Sequence, residues 1–245
     1  MLTKAVLFDL DGTLLPLVQD EFVKEYFRRL TAAMKPYGYE PKMLMDAIWE
    51  GIHVMIENDG TRMNEPIFWE AFERKFGRDV KPDMPRFDRF YREEFDKVQC
   101  IVKGQNPHAV ALVRNLRRAG VPVVLATNPV FPPAATECRI RWAGLEPEDF
   151  TLYTTFHNTG FCKPNPAYYT DIAGKIGVSP DECIMIGNDI KDDMSAALVG
   201  MDVFFLDDYP VNREGADESV YNRGDFIALT RYLEKKIPAL SELTC

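Results

Sequence analysis

Histidine and cysteine are too few and too scattered in this chain to build a zinc site. The three histidines stand at 53, 108 and 157, and the five cysteines at 100, 138, 162, 183 and 245, with no C-x-x-C pair. An odd, irregular cysteine set also gives no disulfide framework, so a reduced protein of the cytoplasm is expected. No apolar run approaches the ~18 residues that a membrane span needs. The first apolar stretch, residues 5–8, is cut short by Asp9 and does not read as a secretory leader. Basic charge is in deficit: 29 Lys and Arg face 38 Asp and Glu, a net charge of −9. That field repels nucleic acid and anionic membrane, so neither is an expected partner. It repels a phosphorylated ligand as well, so any phosphate site must carry a cation or local basic groups. There is no internal repeat, low-complexity tract or tail of one charge sign.

What is present is a chain of 245 residues, 46% apolar, long enough for one large domain or two modest ones. Residues 5–8 read as a buried strand that ends at two aspartates. Residues 16–99 then change character, with aromatic and methionine stripes at helical spacing. Phe22, Tyr26, Phe27 and Leu30 form one stripe; Leu44, Ile48, Ile52, Met55 and Ile56 a second; Phe68, Phe72 and Phe76 a third. Phe87, Phe90, Tyr91, Phe95 and Val98 form a fourth, and proline and glycine punctuate the gaps. Four helices forming a bundle of their own are expected there, with the stripes as its core.

From about residue 100 strands and helices alternate. Helices are expected near 107–119, 133–143, 166–176 and 193–200, and strands near 121–126, 151–155, 183–186 and 203–206. Ser179 and Glu182 match a capping box, but a short apolar strand follows, so the match reads as false. Repeated βα units imply an α/β fold: a Rossmann-like parallel sheet with helices on both faces and an inserted α-helical cap. The implied division is residues 1–15 with 100–245 as the core, and 16–99 as the cap. Sites in such sheets lie at the carboxyl ends of strands, where Asp9, Thr127 and Asp189 all fall.

The chemistry-bearing segments are weak singly. Asp9-Leu10-Asp11-Gly12-Thr13-Leu14 places two carboxylates one residue apart, which cannot comfortably both ionise without a cation. An Asp-Gly turn ending a strand is the ordinary alternative, and a calcium loop is rejected because its glycine comes at position six, not four. Thr127-Asn128 after a strand is usually a turn, though its hydroxyl and N–H groups suit phosphate oxygens. Lys163-Pro164 lies in a proline-bounded loop, and an ammonium there facing carboxylates stays charged. Gly187-Asn188-Asp189-Ile190-Lys191-Asp192-Asp193 puts three acids after a strand. Acids favour a helix start in any case, which accounts for Asp192 at least in part; Asp189 and Asp193 are the expected metal-site acids. The histidines read as bland, His157 least so because it shares the Lys163 loop.

Taken together and in this order, the four segments resemble those of the haloacid dehalogenase superfamily, and the likeness spans nearly the whole chain. Asp9 to Thr13 resembles its first motif, Thr127 the second, Lys163 the third, and Asn188-Asp189 through Asp193 the fourth. The resemblance implies Mg²⁺ held by Asp9, the backbone carbonyl of Asp11 and a fourth-motif acid, with Asp9, Asp11, Asp189 and Asp193 as the metal residues. It implies Asp9 as nucleophile, forming an aspartyl phosphate, and Asp11 as the acid and base. Thr127 and Lys163 complete the catalytic set, and Thr127, Asn128 and Lys163 hold phosphate. Dehalogenases of the superfamily lack the second aspartate, so Asp11 favours a phosphatase acting on a small phosphorylated metabolite. The fourth motif departs from the common Gly-Asp, leaving Asn188 and Asp189 as alternative ligands. A phosphomutase is the nearest rival, and a non-catalytic binding protein on the same fold is another; a two-component receiver would be about half as long. Residues 16–99 carry 14 basic and 17 acidic residues, so charge does not point to a substrate. Trp49, His53, Arg62 and Trp69 are cap residues expected to reach the site, with no order among them. A monomer or a homodimer is open.

Overall fold

Strand Ala5–Phe8 (β1) is apolar at every position because both faces of it are covered. Val6 and Phe8 pack to one side, with Leu125, Ile184, Ile186, Phe204 and Leu206; Ala5 and Leu7 pack to the other, with Val124, Met185 and Phe205. This twofold alternation belongs to a parallel sheet with a helical layer on each side. The computed structural model that shows this describes residues 3–244, so Cys245 lies outside the described residues.

The sheet has six parallel strands in the order β3-β2-β1-β4-β5-β6. The others are Val123–Leu125 (β2), Leu152–Tyr153 (β3), Cys183–Gly187 (β4), Asp202–Leu206 (β5) and Asn222–Gly224 (β6). β1 is central, paired with β2 through Phe8 and Leu125 and with β4 through Phe8 and Ile186. The strand order reverses direction between β1 and β4, the crevice where sheets of this kind place their sites.

Between β1 and β2 the chain leaves the sheet as helices Gln19–Met34 (α1), Pro41–Ile56 (α2), Asn64–Phe76 (α3) and Met84–Arg89 (α4). The first three stripes are helices, with Phe22, Leu30, Leu44, Met55 and Phe72 buried. The expected fourth helix is not continuous. After α4 the chain widens into a π-turn over Phe90–Glu94 and tightens into a 3₁₀ run over Phe95–Ile101. These shifts of register bury Phe90, Phe95 and Val98 together, which a uniform 3.6-residue period would not. Phe95 stacks on Trp142, and the Trp142 indole donates to Asp96 at 2.9 Å, fixing the insertion to the core.

Helices Pro107–Arg118 (α5), Pro133–Trp142 (α6) and Pro166–Lys175 (α7) follow the expected alternation. Two elements differ from the expected pattern. The stretch expected as a helix to Gly200 is a 3₁₀ run, Met194–Val199; the Ser195 hydroxyl bonds the Asp192 carbonyl at 2.7 Å, a local bond that competes with helical ones. The Ser179 capping box is real: both reciprocal bonds to Glu182 form around the single turn Pro180–Glu182, and β4 begins at the next residue. Beyond β5 the chain adds β6, then Phe226–Lys236 (α8) and Pro238–Thr244 (α9). Leu229 and Leu233 of α8 close one face of the sheet. No helix among the described residues is long and apolar enough to cross a membrane.

Candidate active site

The carboxyl ends of β1, β2 and β4 bring Asp9, Thr127 and the 187–193 loop to one pocket of about 820 Å³, with Asp11, Asn128 and Lys163 in its wall. Gly12 makes the turn after β1 possible. Its φ is +83°, where a side chain is strained, and a Cβ there would overlap the Asn188 amide. Asn188 in turn accepts from the Thr13 hydroxyl at 2.9 Å and donates to the Tyr209 carbonyl at 2.6 Å. It therefore joins the loop after β1 to the loop after β4. The Thr127 carbonyl is held by Thr154 at 2.6 Å and Tyr168 at 2.8 Å.

Lys163 is 1% exposed, and its Nζ donates to Asp9 Oδ1 at 2.8 Å and to Asp193 Oδ1 at 2.6 Å. Burial pulls the ammonium down, but the charges of Asp193 and Asp9 outweigh it and hold Lys163 well above its ordinary range. Burial pushes the Asp193 carboxyl up, against the attraction of Lys163. Asp193 also accepts from the Asp189 amide at 2.9 Å, and a Cβ at Gly187 would overlap its carboxylate, so only glycine fits there.

Two cap–core contacts shape the Lys163 loop. Asn64, fully buried, donates its backbone N–H to the Thr159 carbonyl at 3.0 Å and its side-chain amide to Cys162 Sγ at 3.3 Å. The next amide, Glu65, bonds the Phe156 carbonyl at 2.9 Å. Lys163-Pro164 is a cis peptide.

Asp9, Asp11, Asp189 and Asp193, the expected metal residues, all line this pocket. Among the described residues, no three His, Cys, Asp or Glu side chains stand together as a metal-holding group. Each expected ligand has another partner. Asp11 pairs with Arg139. Asp193 pairs with Lys163. Asp189 accepts from the amides of Lys191 at 2.8 Å and Asp192 at 2.9 Å, an Asx-type turn that shapes its own loop. Asp192 lines the same pocket, and its carboxyl is pushed up to about 6 by burial and by the charges of Asp189 and Asp9. Its Oδ2 accepts from the Asn128 amide at 3.2 Å.

Arg139 had no signal in the sequence. It sits in the last turn of α6, is 1% exposed, lies 4.5 Å over the Phe131 ring and holds Asp11 by Oδ2. Burial raises the Asp11 carboxyl and Arg139 opposes that rise. Asp11 Oδ1 and Asn128 Oδ1 are buried without a hydrogen-bond partner. Two acceptors left so beside an excess of carboxylates fit a hard divalent cation, which takes oxygen donors.

The proposed cap contacts divide. Trp49 lines the large pocket and Trp69 a smaller one beneath the cap. Arg62 instead pairs with Glu70 at 2.5 Å, and His53 lies 3.5 Å from Glu57, both on the exposed surface. His157 stacks on Phe156 and meets Glu65 across the cap boundary at 3.2 Å.

Residues 3–200 match the family model of haloacid dehalogenase-like hydrolases, and the chain belongs to that family. It is similar to glyceraldehyde 3-phosphate phosphatase of Methanopyrus kandleri, 23% identical over 202 residues, 79% of each chain. It is also similar to hexitol phosphatase A of Escherichia coli K12, 25% identical over 189 residues, 76% of this chain and 74% of that one. A crystal structure of a HAD phosphatase from Thermococcus onnurineus shares the fold with a TM-score of 0.57 at 19% identity, covering 96% of this chain and all of that one.

Proposed function

We propose that this protein is a Mg²⁺-dependent phosphatase that hydrolyses a small phosphorylated metabolite through an aspartyl phosphate on Asp9. The observation that carries the reading is the buried Lys163 ammonium bonded to both Asp9 and Asp193 beside unsatisfied acceptor oxygens. The phosphatase names of the two curated relatives, and the presence of Asp11, favour phosphate over halide.

Asp9 attacks phosphorus with the oxygen that Lys163 does not hold, forming the P–O bond as the ester P–O bond breaks. Asp11 gives its proton to the leaving alcohol oxygen, then takes one from the water that attacks the phosphorylated Asp9 and releases phosphate. Burial favours the protonated Asp11 and Arg139 the ionised one, an opposition suited to a carboxyl that visits both states. Thr127 and Asn128 at the end of β2 bind the phosphoryl oxygens. Lys163 keeps Asp9 oriented and offsets charge gathering on the transferred group. Asp9, the main-chain carbonyl of Asp11 and an acid of the 187–193 loop, which offers Asp189, Asp192 and Asp193 to the pocket, would hold Mg²⁺. When bound, the ion supplies positive charge against the phosphoryl oxygens.

We further propose residues 1–15 with 100–245 as the core and 16–99 as the cap. The four described cysteines are free thiols, which supports a reducing, cytoplasmic setting. A panel of phosphate esters assayed for free phosphate tests the function. Activity is expected with Mg²⁺, and EDTA should remove it reversibly; full turnover in chelator would take the ion out of the mechanism. Isomerised sugar phosphate in place of free phosphate would make the protein a mutase.

A further inference from the structure

A second cavity, of about 210 Å³, lies between the insertion and the sheet, beside the large pocket. Its wall is mainly rings and aliphatic chains, among them Leu30, Ile52, Phe68 and Trp69 from the cap and Phe131 from the core. Val130 and Phe131 line both cavities. They follow directly on the proposed phosphate-binding Thr127-Asn128 segment, and the Val130 amide folds back on the Asn128 carbonyl at 2.9 Å. Three residues reach ~11 Å at full extension, so the cavity opens within one small molecule's length of Asn128. On the phosphoryl side, Arg139 lies over the Phe131 ring and pairs with Asp11.

Tyr26, Tyr91, Glu65 and His157 are paired within this wall, and its other two charged residues, Asp88 and Arg92, are exposed. The Tyr26 and Tyr91 hydroxyls bond at 2.8 Å, and His157 meets Glu65 at 3.2 Å. A hydroxyl-rich leaving group would find few free buried polar partners there. An apolar cavity of about 150 Å³ in another protein stays dry and accepts benzene, so this volume suits a single ring. Ligand pockets of this make-up select by shape and apolar contact.

Building on the phosphatase reading above, we propose that the preferred substrate is a phosphate monoester whose leaving group carries one aromatic ring seated in this cavity. The class differs from the polyol and aldehyde phosphates in the relatives' names. The test compares phenylphosphonate with methylphosphonate for binding by calorimetry, and benzyl phosphate with glycerol phosphate for phosphate release, in wild type and Ile52→Trp. Phenylphosphonate is expected to bind wild type about tenfold or more tightly than methylphosphonate, with a matching kcat/KM preference for the benzyl ester. Ile52→Trp, which fills the cavity from its edge, should bring both ratios down towards one. Should that variant not fold, the wild-type ratios decide alone. Equal binding of the two phosphonates, with either ester hydrolysed, overturns the ring assignment and leaves the phosphatase reading standing. A ring preference in binding with no phosphate release from any ester overturns the phosphatase reading, and the substrate assignment with it.

Discussion

At the scale of single residues, the site turns on an ammonium with almost no access to water. Removing its charge by Lys163→Met leaves Asp9 and Asp193 facing each other without a counter-ion. Breaking a buried pair in this way costs about 3–5 kcal/mol. Chemical denaturation of the metal-free protein should show that loss; an unchanged midpoint would mean that the two ion pairs contribute nothing. Asp9, Asp11, Thr127 and Lys163 were legible in the sequence because each closes a strand or a proline-bounded loop, in an order that resembles a known family. Asp192 and Arg139 were not. Asp192 sits where any helix start welcomes an acid, and only the return of Asn128 to its side marks it out. Arg139 looks like a surface arginine on α6 until the tertiary fold sets the Phe131 ring and Asp11 against it.

At the scale of elements, local rules were reliable where they acted within one turn and failed where packing overrode the period. The Ser179 box closes around one turn even though a strand follows directly. The fourth stripe has helical spacing on average, but three helix types share it. Helix α1 carries a testable pH dependence. Bonds from Arg28, and then Arg29, hold Glu25 at about 2 against an ordinary 4.5. A lowered carboxyl contributes stability above its unfolded value and loses it as pH falls through the folded one. The melting-temperature advantage of wild type over Glu25→Gln should therefore be full above pH 4.5 and shrink towards pH 2; a gap that widens on acidification would refute the assignment. Where α3 meets the Lys163 loop, Asn64→Ala leaves Asn58, which donates to Asn64 Oδ1 at 2.9 Å, with one partner fewer. The expected cost is about 1–3 kcal/mol, measured by urea unfolding, and a neutral result would show that the loop holds itself.

At the scale of the whole molecule, the sheet order places β1 between β2 and β4, and that alone brings residues 9, 127 and 187–193 to one end. This much follows from alternating strands and helices, since right-handed crossovers leave few arrangements. The aromatic cavity under the cap did not follow from pattern, because its wall joins residues 26 to 157 across the cap boundary. Nor did β6, α8 and α9, whose part in covering the sheet depends on how the chain returns.

The phosphorylated enzyme is the most direct witness to this account. Rapid acid quench of turnover, followed by peptide mass spectrometry, should find a phosphoryl group on the peptide containing Asp9, labile to hydroxylamine, and absent from a folded Asp9→Asn variant that releases no phosphate. Undiminished phosphate release by that variant, or a phosphoryl group carried at another residue, would contradict it.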